Sequence, residues 1–169
     1  KEQNLSLCSL DKSNRNAAIE LTKKSADRAV ALGCHSLMIC SGKKPEHDAA
    51  ESVRAFIDSL SAISGYISGM PLKLLLEPCD SGMDARHLLG PTSLVIDIAR
   101  EVREFNPDFS LTMDIAHIAE ENEDVMTALR HAKPYCSHIH FANCVTGDRS
   151  DPRYGDSHVG FDYPKAVFS

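Results

Sequence analysis

Carboxylate and imidazole side chains close three separate apolar segments of the sequence. These side chains are Glu77, the pair Asp114 and His117, and the pair His138 and His140. Carboxylate oxygens and imidazole nitrogens bind divalent cations such as Mn²⁺, Mg²⁺, Co²⁺ and Zn²⁺, and the set contains no cysteine for a thiolate site. A single residue of this kind is more often a helix cap or an ion-pair partner. Because three consecutive segments end in the same way, we predict a site for a divalent cation.

The elements that must position these groups are short apolar segments alternating with longer helical patterns. The predicted strands are residues 5–10, 36–40, 72–78, 109–113 and 136–141. The predicted helices run from Ser13 or Asn14 to Leu32 and over 47–67, 91–105 and 123–131, and a loop covers 143–160. Strands that alternate with helices are parallel and joined by right-handed crossovers. The fold class is therefore α/β, either a doubly wound sheet or a β/α barrel.

The polar residues stand where such folds place their functional groups. In parallel β/α folds, ligands bind at the carboxyl ends of the strands. Because side chains alternate between the two faces of a strand, Glu77, Asp114 and His140 would share an interior face. Their apolar neighbours, such as Met113 and Ile139, would then face the covering helices.

Composition limits the classes of partner. The 169 residues are 43% hydrophobic and 25% charged, which is typical of one folded domain. The net charge is -6 and no basic cluster exceeds two residues, so we expect no nucleic-acid partner. No apolar segment approaches the roughly 20 residues of a membrane-spanning helix, and no signal-peptide pattern opens the sequence. We therefore expect no membrane partner and a cytoplasmic protein. The six cysteines include no C-x-x-C pair, and we expect them to be reduced thiols.

The order of the motifs resembles the xylose-isomerase-like barrel superfamily, which holds sugar epimerases, sugar-phosphate isomerases and DNA-repair enzymes of the endonuclease IV type. The resemblance rests on L-x-L-E-P at 74–78, D-x-x-H at 114–117, H-x-H at 138–140 and D-x-H-x-G at 156–160. It covers nearly the whole chain and implies a TIM barrel. It also implies a metal at the carboxyl face of the barrel, held by Glu77, Asp114 and His140.

The function that the resemblance implies is a divalent-metal-dependent sugar or sugar-phosphate isomerase or epimerase, with a small sugar as its partner. The cation would polarise substrate oxygens, and Glu77 would remove the acidified proton through an enediolate. His117 would contact a substrate oxygen as a second catalytic residue. Arg149, with Arg153 as the alternative, would bind substrate.

Two other functions stay open. Asp156 and His158 resemble an additional metal-binding motif of the repair enzymes, which would make the protein a zinc phosphodiesterase acting on DNA. Against this function, the strand that ends at Cys40 lacks the histidine that those enzymes carry there. The third function is a non-catalytic sugar-binding barrel fragment.

The length does not fit a complete barrel. A TIM barrel takes about 250 residues, and the motifs align residues 1–169 as one partial domain with the third to seventh of eight strands. Five strands cannot close a barrel, and their open edges would expose unpaired backbone. We expect a fragment of a longer protein, or an assembly such as a homo-oligomer in which another chain covers the gap.

Overall fold

Four short strands form one parallel sheet in this computed structural model, which describes residues 4–169. They are β1 Ser36–Ile39, β2 Lys73–Leu76, β3 Ser110–Asp114 and β4 Cys136–His140. Each strand pairs with the next one along the chain, so the order is β1-β2-β3-β4. A doubly wound sheet reverses its strand order at a switch point, whereas a barrel wall does not. The predicted α/β class and the incomplete barrel are confirmed.

Within residues 4–169, five helices connect and cover the strands. They are α1 Lys12–Ala31, α2 Ala49–Ile67, α3 Thr92–Val102, α4 Ile115–Glu120 and α5 Val125–Ala132. Four of them were predicted from apolar periodicity, with ends that differ by a few residues. The six-residue α4 was not predicted, because one and a half turns carry too few apolar positions to show a period. Among the described residues, no helix is both long and apolar enough to cross a membrane.

The apolar core lies between the helices and one face of the two central strands. Leu74 and Leu76 of β2 and Leu111 and Met113 of β3 are at most 1% exposed and belong to the core. The helices contribute large side chains that are fully buried: Phe56, Leu60, Ile63, Val95 and Val102. The alternation predicted for the central strands is therefore confirmed, with apolar neighbours of the polar residues facing the helices.

The first predicted strand, residues 5–10, is wrong. This segment forms a turn, in which the Ser9 backbone N–H donates to the Ser6 carbonyl over 3.2 Å. Side chains satisfy the backbone groups that a neighbouring strand would otherwise pair. The Asn14 side chain accepts from the Ser6 N–H at 2.9 Å, and the Ser59 hydroxyl donates to the Leu7 carbonyl at 2.7 Å. Alternating leucines therefore reach the core without a strand, and the sheet has four strands rather than five.

The last strand, β4, is an edge of the sheet among the described residues. Ile139 was predicted to face a helix, but it is 39% exposed, and the following Phe141 is 75% exposed. The chain after β4 forms loops rather than a covering helix. Both faces of β4 are consequently partly open, which corrects the prediction for Ile139.

Candidate functional site

The carboxyl edge of the sheet brings the predicted ligands together through strand register. Asp114 is the last residue of β3, His140 is the last residue of β4, and the two are paired in register. A one-residue irregularity in β4 sets this pairing, because Leu111 pairs with Cys136 while the next residue, Thr112, pairs with His138. Such a bulge re-aims the side chains that follow it.

Glu77 completes the edge from the neighbouring strand. It follows β2 directly, and its backbone N–H donates to the Ile39 carbonyl of β1 at 2.9 Å, which extends the ladder by one residue. The Oε1 atom of Glu77 lies 2.6 Å from the Nδ1 atom of His140. The same nitrogen lies 3.8 Å from the Oδ2 atom of Asp114. One imidazole nitrogen therefore faces two carboxylates from two adjacent strands.

Asp114 also begins α4. Its Oδ1 atom accepts from the Ala116 N–H at 2.8 Å, which makes Asp114 the N-cap of the helix. A capping carboxylate is fixed in direction, and its second oxygen stays available to the site. The capped helix then places His117 so that Glu77, Asp114 and His117 offer ligand atoms within 4.8 Å of one another. We call Glu77, Asp114, His117 and His140 the carboxylate–histidine cluster.

A second acidic group adjoins this cluster and shares His117 with it. The His117 Nδ1 atom lies 3.1 Å from the Glu120 Oε2 atom, one turn along α4. His117, Glu120 and Asp156 offer ligand atoms within 4.8 Å of one another. Asp156 in turn forms an ion pair of 2.7 Å with the exposed His158 when that imidazole is protonated. The loop that carries Asp156 and His158 therefore reaches the predicted site.

Burial sets the electrostatics of the cluster. Glu77 is 7% exposed, and this burial raises its pKa against the lowering effect of His140. Burial acts to lower the pKa of His117, but the hydrogen bond to Glu120 and the charges of Asp156 and Asp114 outweigh it and raise this pKa to about 9. Without a cation, protonated His117 therefore supplies a positive charge that offsets the surrounding carboxylates. Burial likewise raises the pKa of Glu120.

These donors fit a divalent cation. The set consists of carboxylate oxygens and imidazole nitrogens, the ligands of the Mn²⁺, Mg²⁺, Co²⁺ and Zn²⁺ group. Glu77 and Asp114 would bring two negative charges into a site where Asp114 is 1% exposed. Buried carboxylates require a positive partner, and an ion held by Glu77, Asp114 and His140 would provide one. The Oε1 atom of Glu120 is buried and has no hydrogen-bond partner within residues 4–169, so the site also has unused ligand capacity.

Two predicted residues lie outside the cluster. His138 is exposed, and its ring packs edge-on against the His140 ring at a centroid distance of 5.1 Å. Arg149 is exposed in the loop after β4, where its guanidinium lies 5.9 Å from the centre of the Tyr154 ring. Its role in substrate binding therefore stays a prediction.

Sequence reasoning missed two features of this edge. Glu120 joins the site because α4 places it one turn after His117, and the unpredicted helix hid that spacing. The other feature is a group of three side chains, Cys40, Cys79 and His87, whose ligand atoms lie within 4.8 Å of one another. We call this group the thiol cluster. Its only sequence signal was the position of Cys40 at a strand end, like that of Glu77.

A family model for the xylose isomerase-like TIM barrel matches residues 2–165. A search of curated proteins finds no match for the chain. Several solved structures share the fold at low sequence identity. A D-tagatose 3-epimerase-like protein has a TM-score of 0.75 at 19% identity, over 92% of this chain and 56% of that one. A D-psicose 3-epimerase from Clostridium cellulolyticum H10, solved with D-tagatose, has a TM-score of 0.71 at 18% identity, over 90% and 54%.

A solved endonuclease has a similar TM-score. An AP endonuclease of family 2 from Brucella melitensis has a TM-score of 0.70 at 17% identity, over 89% of this chain and 56% of that one. This chain thus spans about half the length of the solved structures it matches. At these identities the likeness establishes the fold and not the reaction. The family model covers nearly the whole sequence, and the chain therefore belongs to the xylose isomerase-like TIM barrel family.

Proposed function

We propose that the protein is a divalent-metal-dependent sugar or sugar-phosphate isomerase or epimerase. The proposal rests on one observation: Glu77, Asp114 and His140 meet at the carboxyl ends of three adjacent strands. The His140 Nδ1 atom lies 2.6 Å from the Glu77 Oε1 atom and 3.8 Å from the Asp114 Oδ2 atom. A divalent cation held by these three residues would supply the positive charge that makes the hydrogen beside a sugar carbonyl acidic.

The protein's own residues would divide the remaining work. Glu77 would accept the proton from the carbon beside the carbonyl, because burial raises its pKa towards the range in which a general base works well. His117, held by Glu120, would donate a hydrogen bond to a substrate oxygen. A second carboxylate would be needed to return the proton on the opposite face.

Solvent exchange tests proton removal directly. The metal-loaded protein is incubated in D₂O with ketoses such as D-psicose, D-tagatose and L-ribulose, and deuterium entry beside the carbonyl is followed by NMR. The assay needs only the first proton transfer, so it responds to Glu77 even where the second carboxylate is missing. If the reading frame continues past Ser169, the longer protein is assayed in the same way.

The expected result is metal-dependent exchange that falls about 100-fold or more in Glu77→Gln, in line with the loss of a general base. Glu101→Gln, which changes an exposed glutamate on α3, is the matched control and should leave exchange unchanged. Exchange that persists in Glu77→Gln, or that is missing for every ketose while the metal is bound, would refute the proposal.

One observation favours a second candidate, a zinc phosphodiesterase acting on DNA. The group of His117, Glu120 and Asp156 lies beside the first three ligands and gives room for more than one cation. Counting the metal bound by a variant in which Cys40 and Cys79 are both replaced by serine separates the two functions, because the thiol cluster then adds no ion to the count. Three zinc ions, with cleavage of a duplex that carries an abasic site, would favour the phosphodiesterase. One cation, with ketose exchange, would favour the isomerase.

A further inference from the structure

The thiol cluster lies beside the proposed active site and shares no residue with it. Cys40 follows β1 directly, Cys79 lies two residues beyond Glu77, and His87 lies in the loop that leads to α3. The two sulfur atoms are 3.7 Å apart, and both cysteines are free thiols. The reaction proposed above gives these side chains no task.

The spacing of the sulfur atoms matches a tetrahedral metal site. Zn²⁺ binds thiolate sulfur at about 2.3 Å, so two sulfurs on one tetrahedral ion stand about 3.8 Å apart. The observed distance between the Cys40 and Cys79 sulfurs is 3.7 Å. A ring nitrogen of His87 completes a set of three ligand atoms within 4.8 Å. Two thiolates and one imidazole form a soft ligand set of the kind that zinc prefers.

The loop that carries Cys79 and His87 is held firmly in place. Asp80 is 0% exposed, and its carboxylate accepts hydrogen bonds from the backbone N–H groups of Gly82 and Asp84 at 3.2 and 2.9 Å, among others. The His87 N–H donates to the Asp80 carbonyl at 2.7 Å. This loop is also joined to the one after Cys40, because the Leu88 N–H donates to the Gly42 carbonyl at 2.9 Å. The three ligands are therefore positioned before any ion binds, as a metal site requires.

His87 carries an unused polar atom at this position. Its Nδ1 atom is buried and has no hydrogen-bond partner among the described residues. Burying an unpaired polar atom is unfavourable, and native structures rarely retain one without a reason. A cation bound through Nδ1 would give this atom a partner that no described residue supplies.

An ion could enter from a neighbouring cleft. A cavity of about 440 Å³ is lined by Cys40 and His87, together with Leu5, Ile39 and Lys43. Cys79 is buried and does not line it. Two of the three ligand residues thus line the cleft, and the third is buried. Three protein ligands with one open position are the arrangement in which zinc keeps a water molecule or an exchangeable ligand.

We propose that Cys40, Cys79 and His87 form a Zn²⁺ site, separate from the carboxylate–histidine cluster, with its fourth position open to the cleft. The proposal does not depend on the isomerase function, because none of the three residues takes part in that chemistry.

Cobalt spectroscopy tests the site, because thiolate ligation produces a charge-transfer absorption that oxygen and nitrogen ligands cannot give. The reduced chain is titrated with Co²⁺ under a non-chelating phosphine reductant, and Zn²⁺ is then added. We expect a thiolate-to-cobalt band in the near ultraviolet, tetrahedral bands in the visible, and loss of both when Zn²⁺ displaces Co²⁺. The band should persist in Glu77→Gln, because Glu77 is not a ligand of this site.

Variants assign the signal to its ligands. Cys40→Ser, Cys79→Ser and His87→Gln should each weaken zinc binding beyond the roughly 10- to 100-fold effect of losing an outer-shell partner. Cys34→Ser, which changes an exposed free thiol, is the matched control and should leave binding unchanged. Circular dichroism checks each fold, and the partly exposed Cys40 provides a mild variant if the buried Cys79→Ser unfolds. A charge-transfer band that survives in folded Cys40→Ser, or cobalt binding without the band in the wild type, would overturn the proposal.

Discussion

The carboxylate–histidine cluster and the thiol cluster lie at the same edge of the sheet but are built differently. In the first cluster, Asp114 and His140 end paired strands and Glu77 follows a third, so backbone register fixes their spacing. In the second cluster, only Cys40 follows a strand. Cys79 and His87 lie on one loop that internal hydrogen bonds hold in shape.

The two constructions differ in donor chemistry as well. Carboxylate oxygens and imidazoles suit hard and borderline cations such as Mg²⁺ and Mn²⁺, whereas thiolates favour Zn²⁺. Mg²⁺ and Mn²⁺ would therefore bind at the carboxylate–histidine cluster, whereas the thiol cluster would select Zn²⁺. The comparison teaches that neighbouring strand ends can host separate metal chemistries, because each strand end sets only its own donors.

The largest expected effect is the loss of Mn²⁺ affinity when the negative charge of Glu77 is removed. Glu77→Gln keeps the side-chain shape but removes a negative ligand, so we expect Mn²⁺ affinity to fall by roughly 100-fold or more. Zinc affinity at the thiol cluster should fall by about fivefold at most, the size expected for a partly screened charge in the neighbouring cluster. Calorimetric titration of Mn²⁺, followed by Zn²⁺ in the same sample, measures both. A parallel loss of both affinities would mean that the clusters act as one site.

The sequence was sufficient to predict most of the fold that supports these clusters. Helix periodicity and strand length located four strands and four helices, because their buried faces are long enough to show a pattern. Residues 5–10 were wrongly predicted as a strand. The sequence pattern of the leucines is the same whether a neighbouring strand or side chains form hydrogen bonds with the backbone of this segment. The short α4 was missed for the opposite reason, since a helix begun by the Asp114 cap needs no apolar period.

The site also has features that the sequence predicts and features that it does not. Glu77, Asp114 and His140 could be predicted because strand ends converge in any parallel β/α fold. Their distances could not, since the pairing of Asp114 with His140 depends on a bulge that no residue type signals. The thiol cluster was hidden because a loop shaped by Asp80 brings Cys79 and His87 to Cys40.

A smaller effect would separate ligation from helix capping within the first cluster. Asp114→Ala removes a ligand and the N-cap of α4, so it should weaken Mn²⁺ binding at least tenfold and cost about 1 kcal/mol in the metal-free chain. Asp124→Ala is the matched control, because Asp124 caps α5 by accepting from the Thr127 N–H at 2.8 Å, away from the site.

Urea unfolding and Mn²⁺ titration of both variants distinguish the two roles. The control should lose comparable stability and retain wild-type metal affinity. If Asp124→Ala weakened Mn²⁺ binding as much as Asp114→Ala, loss of a cap alone would explain the effect, and Asp114 would not be a ligand.

The pH dependence of the metal-free chain gives a third, smaller contrast. The pKa of His117 is raised to about 9 against an ordinary value of 6.5, despite burial, by Glu120, Asp156 and Asp114. Its protonation therefore stabilises the folded chain fully below pH 6.5, and this contribution disappears as the pH rises through about 9.

Glu120→Gln should lower the pKa of His117. The free energy of unfolding should then change less with pH between 6.5 and about 9. NMR titration of the His117 ring and urea midpoints across the pH range measure the two effects. An unchanged His117 titration in Glu120→Gln would remove the assigned cause.

The smallest expected effect tests whether the two clusters are electrically independent. The hydrogen bond from Cys79 lowers the pKa of Cys40, which favours a thiolate in the zinc-free cluster. Burial raises the pKa of Glu77, and the negative charge of a Cys40 thiolate adds to that effect. Zinc would neutralise the thiolate and remove part of the negative field that attracts a cation to the neighbouring cluster. Mn²⁺ affinity should therefore fall by about two- to fivefold in the zinc-loaded protein, an effect expected for a partly screened charge at this range.

The coupling is reciprocal, since Mn²⁺ must weaken zinc binding by the same factor. Calorimetry in both orders of addition measures it, and Cys79→Ser, which should no longer hold zinc, should abolish it. Equal Mn²⁺ affinity with and without zinc would show that solvent screens the two sites completely. A rise in Mn²⁺ affinity would contradict the electrostatic argument, because neutralising a thiolate cannot make its surroundings more attractive to a cation. A measured fall would instead establish that two chemically distinct donor sets, one carried by strands and one by a loop, share a single electrostatic field.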